Sequence, residues 1–353
     1  MFKQAKSATM EDVARLSGVS IGTIDRVLHN RKGVSKATRS KVLSVIEKTG
    51  YKPNINASLL SNKKTYKLIA IIPYFQKGDY WEMIYDGIMQ SNEKNKKNIE
   101  IDIIYYNQFD VDSFQKACLH ALNFEIDGVL IAPIYKKEAS FFIKTLSEKS
   151  IPVVFVDTKV DNCEYLAYYG MPLYASGYLA AHLFFNEKEI PELVNFNVDR
   201  DGAAPNESMI KRTEGFMGYI SDHNIKCKIF DYSMRPYDFM YNIHLFDSFF
   251  SEHPNINHII TLNSRAYIIS EWMEMRGIRD KKLLGFDMLE KNLDGLKKGF
   301  ITTLLTERTA THVEKSMQAL INYLVINQKP AYKDNMFPID ILNKYNVEFY
   351  KEF

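Results

Sequence analysis

The sequence predicts an N-terminal all-α domain followed by an α/β body of two lobes, each built on a doubly wound parallel sheet. Three observations carry this. The first 64 residues read as short helices punctuated by single glycines. From Lys67 onward, short apolar runs alternate with longer amphipathic stretches, the pattern of parallel sheets layered with helices. That stretch is about 290 residues long, too many for one such sheet, so two lobes are expected.

Composition fits a folded chain. Apolar residues make up 46% of the 353 and charged residues 25%, which excludes a disordered or fibrous protein. The net charge of +2 conceals a split. Residues 1–64 hold 13 Lys and Arg against four acidic residues, Glu11, Asp12, Asp25 and Glu47. The other 289 hold 32 basic and 39 acidic residues. A basic head on an acidic body points to a polyanion partner for the head alone. The segment MFKQAKSATMEDVARL lacks an apolar run of signal-peptide length, and no stretch approaches a membrane span. Cys118, Cys163 and Cys227 show neither disulfide nor zinc-ligand spacing. The expectation is a cytoplasmic protein with reduced thiols, no metal and no cofactor.

In the head, Thr9 precedes MEDVARLS with Asp12 three residues on, close to a capping box. Val13, Ala14, Leu16 and Ser17 are expected to face inward. Gly18 then breaks the helix, and Ser20 caps a second one, IGTIDRVLH. Small Ala14, Gly18 in a left-handed turn and inward Ile24 together specify a helix-turn-helix. Ser35 caps a third helix, with Val42, Leu43 and Ile46 inward and Gly50 as its stop. If the second helix enters a major groove, Ile21, Gly22, Thr23, Asp25, Arg26 and His29 face the bases. Arg26 is the candidate for a bidentate guanine contact. Asp25 would accept from a cytosine amino group or hold Arg26. Arg31, Lys32, Lys36 and Arg39 are expected on phosphates.

This head resembles that of the lac repressor/galactose repressor family. The resemblance rests on Asp12, Val13, Ala14, Gly18, Val19, Ser20, Thr23, Arg26, Val27, Leu28, Val34, Ser35, Thr38, Arg39, Val42, Tyr51, Pro53 and Asn54. Asp25 stands where Ser is usual and His29 where Asn is usual, which changes the expected operator and not the fold. The resemblance adds Thr9, Ser20, Ser35 and Thr38 to the DNA-binding set. It also implies a hinge over residues 54–65. There Asn54 caps a short helix that forms only on DNA, Ala57 and Ser58 lie near the minor-groove floor, and Leu60 wedges between base steps.

Strands are expected at KLIAIIP, IEIDIIYY, DGVLIAP, PVVFVD, YLAYYG, ELVNFNV, KCKIFDY, HIITL, KLLGFD and FITTLL. Helices are expected at WEMIYDGIMQSNEKN, DSFQKACLHALNF and EASFFIKTLSEKS, and from near Tyr174. No GxGxxG follows the first strand and no P-loop is present. Across residues 66–353 the body resembles the periplasmic-binding-protein-like effector domain of the same family. That implies an N-lobe of about 66–170 and 308–335 and a C-lobe of about 171–304 and 336–353, joined by three crossovers. The headpiece then spans 1–53.

Open α/β sheets bind ligands beyond the C-terminal ends of their strands. Those ends hold Tyr74 and Phe75, Tyr80 and Trp81, Tyr135, Asp157, Asn263, Arg265 and Asp287. The resemblance adds Arg212, expected at a helix start, and Glu307. Aromatic faces, carboxylates and guanidinium groups suit a sugar or polyol. No catalytic residue is marked by spacing. The expected function is a homodimeric, sequence-specific regulator, a repressor, controlled by a small sugar-like ligand and reading a near-palindromic operator. The alternative is a sugar-binding protein or sugar-metabolising enzyme with an accessory helical head.

Overall fold

A computed structural model describes residues 8–28, 31–51, 64–185, 190–199 and 207–350. The head holds α1 (Met10–Ser17), α2 (Ile21–Leu28) and α3 (Lys36–Thr49). Thr9 and Asp12 form a full capping box on α1, and Gly18 ends it with a left-handed backbone at φ 67°. Ser20 accepts from the Thr23 amide at the start of α2, and Ser35 accepts from that of Thr38 on α3. Val13, Ala14, Ile24, Val27, Val42 and Tyr51 form the small core. Leu16 and Leu43, expected inside, are about half exposed. On α1 the inward stripe runs Val13, Ala14, Ser17, and on α3 it passes Val42 to the half-buried Val45 and Ile46, so both leucines fall on the next face.

The body contains two six-stranded sheets. The first has β1 (Tyr66–Pro73), β2 (Ile99–Tyr106), β3 (Gly128–Ile131), β4 (Val153–Val156), β5 (Ala167–Gly170) and β11 (Asp334–Met336), in the order β11-β5-β4-β3-β1-β2. The second has β6 (Glu192–Val198), β7 (Lys228–Met234), β8 (His258–Ile260), β9 (Lys282–Phe286), β10 (Thr303–Thr306) and β12 (Asp340–Leu342), in the order β12-β10-β9-β8-β6-β7. The two orders are the same, so the lobes are topological repeats. All pairings are parallel except β10 with β12. The ten expected strands are all present, while β11 and β12 were not expected. Each has three residues and no period that periodicity could reveal.

Each sheet is buried on both faces. Leu68, Ala70 and Ile72 of β1 enter one cluster, and Ile69 and Ile71 enter the opposite one. That explains why these strands read as continuous apolar runs. The first sheet is flanked by α4 (Tyr80–Asn95), α5 (Val111–Ala121), α6 (Lys136–Glu148) and α12 (Thr309–Ile326). The second is flanked by α7 (Leu173–Phe185), α8 (Glu207–Asp222), α9 (Phe239–Glu252), α10 (Ala266–Arg276) and α11 (Glu290–Lys298). The chain crosses between sheets after β5, after β10 and between β11 and β12. Helices α7 and α8 touch backbone to backbone. A Cβ on Gly177 would lie 1.8 Å from the Arg212 carbonyl oxygen, and one on Gly215 would lie 1.9 Å from that of Tyr174. No described helix is long and apolar enough to cross a membrane.

Candidate functional site

The head presents Ser20, Ile21, Gly22 and Arg26 on an exposed surface, with Thr23 and Asp25 half-buried beside them. Asp25 is engaged by Arg31, Oδ2 to Nη1, at 2.9 Å. Arg39, expected on a phosphate, is partly spent inside the head. Its Nη1 donates to the Val27 carbonyl at 3.2 Å and its Nη2 to that of Arg31 at 3.1 Å. It therefore ties the end of α2 to α3. Lys32 and Lys36 are exposed. The Thr9 amide and hydroxyl and the Arg15 guanidinium hold the Asp12 carboxyl down at about 2. His29, Asn54, Ala57, Ser58 and Leu60 lie outside the described residues.

The second candidate site is the cleft where the strand ends of the two sheets face each other. It encloses about 70 Å³ and is lined by Asp79, Tyr80, Trp81 and Asp157 from the first lobe and Arg212, Asn263, Arg265 and Asp287 from the second, among others. Two of its carboxylates are related by the repeat of the fold. Asp157 follows β4, the fourth strand of its lobe, and Asp287 follows β9, the fourth of the other. Both adopt a left-handed backbone, φ 65° and 68°, a region Asp tolerates better than most residues. Each amide donates to the neighbouring fifth strand, Asp157 to the Tyr169 carbonyl and Asp287 to that of Leu305.

Arg212 lies in the second turn of α8, which begins at Glu207, and not at a helix start as expected. Its guanidinium stacks 4.1 Å above Phe286, and Nη1 donates to the Leu262 carbonyl at 3.3 Å. Asp287 approaches Nη2 at 3.9 Å. The Arg212 Nε and Ser208 Oγ atoms are buried and make no hydrogen bond. Asp157 accepts from the Tyr80 hydroxyl at 3.0 Å. Burial pushes Asp157 up to about 7, opposed by the Tyr80 hydrogen bond and the Arg212 charge. Burial likewise raises Asp287 to about 6 and Glu307 to about 7, each opposed by Arg212. Glu307 lies at the second crossover, its Oε2 3.4 Å from Nδ1 of His312. Asn263 serves its own loop, accepting from the Arg265 amide at 2.9 Å.

A clasp closes the cleft. Asp79 Oδ1 lies 3.4 Å from Arg265 Nη1, and Asp79 Oδ2 accepts from the Tyr237 hydroxyl at 3.1 Å. Arg265 also reaches the Tyr267 hydroxyl at 3.2 Å. Lys136 of the first lobe meets Glu207 of the second at 3.0 Å.

Four expected residues stay outside this lining: Glu307 at the second crossover, Tyr74, Phe75 and Tyr135. Tyr74 is 65% exposed and rests edge-on against Tyr105. Phe75 packs between Tyr85 and Tyr105. The Tyr135 hydroxyl donates to the Gln108 carbonyl at the foot of the cleft wall. Pro73 is the last strand residue, and the Tyr74 amide still donates to the Tyr106 carbonyl of β2, so Tyr74 and Phe75 stay on the β2 side before the chain reaches the opposing lobe at Asp79. Sequence reading passed over Asp79 and Gln108, although both lie just past strand ends. It also missed Asn292, fully buried, whose amide nitrogen donates to the Ser264, Phe286 and Asp287 carbonyls and fixes two cleft loops together. Tyr237 and Tyr267 carried no signal, because Tyr237 acts by reaching Asp79 across the lobes and Tyr267 by holding Arg265 within the second lobe.

Comparison with known proteins agrees with both halves. Residues 9–54 match the family described as bacterial regulatory proteins, lacI family, and residues 69–329 match the periplasmic binding protein domain family. The transcriptional regulator IdnR of Escherichia coli is 29% identical over 146 residues, which span 41% of this chain and 42% of that protein. The chain thus aligns with less than half the length of that curated relative. A crystal structure described as a LacI transcriptional regulator from Bacteroides fragilis superposes with a TM-score of 0.77 at 29% identity, over 82% of this chain and all of that one. A solute-binding protein from Burkholderia graminis, solved with D-arabinose, superposes at 0.72 with 15% identity, over 82% of this chain and 99% of its own, and shares the fold. The chain belongs to the periplasmic binding protein domain family through its body, and its head matches the lacI family of bacterial regulatory proteins.

Proposed function

We propose that this protein is a homodimeric transcriptional regulator, a repressor, whose affinity for a near-palindromic operator is set by a small sugar-like ligand. Residues 1–53 are the headpiece, 54–65 the hinge, and 66–353 the effector domain, with the lobes divided as the sequence suggests. The protein works in the cytoplasm. The observation that carries this is one chain joining an exposed recognition helix bearing Arg26 to a polar cleft between two repeated lobes. Arg26 reads a guanine, while Lys32, Lys36 and the capped N-termini of α1 and α3 meet phosphates. Asp157, Asp287 and Arg212 bond ligand hydroxyls, and Trp81 supplies an apolar face. The free space of about 70 Å³ falls short of the few hundred Å³ of a small-molecule pocket, so the lobes separate to admit ligand. Ligand then changes the spacing between hinge starts, coupling cleft to DNA.

The test is a fluorescence titration of the full chain against genomic duplexes at several salt concentrations, with and without sugars. A specific site, a steep salt slope and a sugar-dependent shift in affinity are expected. Salt-insensitive or absent DNA binding together with sugar turnover defeats the reading and favours the enzyme alternative.

A further inference from the structure

A second cavity of about 230 Å³ lies between the lobes on the far side of the clasp. Asp79 lines both spaces. The wall between them consists of the Asp79 carboxylate, the Tyr237 hydroxyl and the Arg265 guanidinium, held at 3.1 to 3.4 Å. The two contacts made by Asp79, to Tyr237 and to Arg265, cross the lobes and part when the lobes do, while Tyr237 and Arg265 stay together on the second lobe. The two spaces then join into one chamber of about 300 Å³, the size at which small-molecule pockets begin.

The two ends differ in chemistry. The inner end is acidic and rich in hydrogen-bonding atoms, from Asp157, Asp287 and Arg212. The outer end is walled by Tyr237, Phe239 and Tyr267 and edged by Lys77 and Lys291. Aromatic faces pack on the apolar C–H face of a sugar ring, and lysine ammonium groups donate to its hydroxyls.

We propose that the outer cavity is a second sugar subsite, and that the effector is a disaccharide whose linkage passes between Asp79 and Arg265. This rests on the reading of the cleft as a sugar site. Isothermal titration of the full chain with disaccharides and their constituent monosaccharides tests it. The best disaccharide should bind at least about tenfold tighter than either of its units. Phe239→Ala should abolish that advantage and leave monosaccharide affinity unchanged. Lys291→Ala, a change at a half-exposed side chain on the rim, should reduce it severalfold and decides the matter if Phe239→Ala does not fold. Monosaccharides binding as tightly as any disaccharide, or both variants weakening the two ligand classes equally, overturns the outer subsite while the sugar site stands. Wild-type protein that binds neither class overturns the sugar reading, and the subsite with it.

Discussion

Asp79 and Arg265, each more than nine-tenths buried, face each other across the cleft with Oδ1 3.4 Å from Nη1, one from each lobe. This pair spans the lobes, as do Tyr237 with Asp79 and Lys136 with Glu207, so all three contacts must part for the cleft to open. The Tyr237 hydroxyl and the Gln76 amide both donate to the other Asp79 oxygen, which fixes the carboxylate for Arg265.

Asp79→Asn keeps an acceptor for Tyr237 and removes the charge. Breaking one side of a buried ion pair costs about 3–5 kcal/mol when the partner stays buried, and less when opening exposes it to water. The expected result is a larger radius of gyration for ligand-free protein in small-angle X-ray scattering. An unchanged radius shows that the pair does not hold the lobes.

The buried carboxylates that feel the Arg212 charge predict a pH dependence. Asp157, Asp287 and Glu307 are raised by burial to about 7, 6 and 7, above the ordinary values near 4 of an unfolded chain. The folded state therefore holds more protons in the window from about pH 4 to about 7, and these groups lower stability as pH rises through it. Asp157→Asn, which tolerates the left-handed backbone, should flatten that decline. Denaturant unfolding at about pH 5 and about pH 8 measures it. Hydroxyl donors favour the charged carboxylates, so ligand should bind with proton release, read by calorimetry in buffers of different ionisation enthalpy.

Gly177 faces the backbone of Arg212 with no room for a side chain. Gly177→Ala must push α8 away from α7 and carry Arg212 with it. Ligand affinity should fall about tenfold or more, beyond the about 1–3 kcal/mol lost in thermal unfolding from overpacking. Equal affinity with lowered stability separates packing from positioning.

In the head, Arg26→Ala should cost about 1–3 kcal/mol and relax specificity at one base pair, while Lys36→Ala weakens all sequences and lowers the salt slope by about one. Arg39→Ala should instead increase amide exchange at the end of α2, since it removes the bonds to the Val27 and Arg31 carbonyls. A loss of salt slope with unchanged exchange assigns Arg39 to phosphate.

What the sequence determined by itself was local. Thr9, Gly18, Ser20, Ile24, Ser35 and Gly50 act within one or two helical turns, so their spacing alone specified the head. Ten apolar runs specified ten strands, and strand ends pointed to Asp157, Arg265 and Asp287. The same reasoning misplaced Leu16 and Leu43, because an apolar residue beside an inward stripe reads like one within it. Tertiary structure alone decided that Tyr74 turns outward, that Arg212 sits a turn and a half into its helix, and that Arg39 braces the head. It also decided the pairings of Asp79 with Arg265 and Tyr237 and the carbonyl contacts of Asn292. These depend on how two separately folded sheets face each other, and a chain carries no periodic signal for a contact between residues far apart in its length.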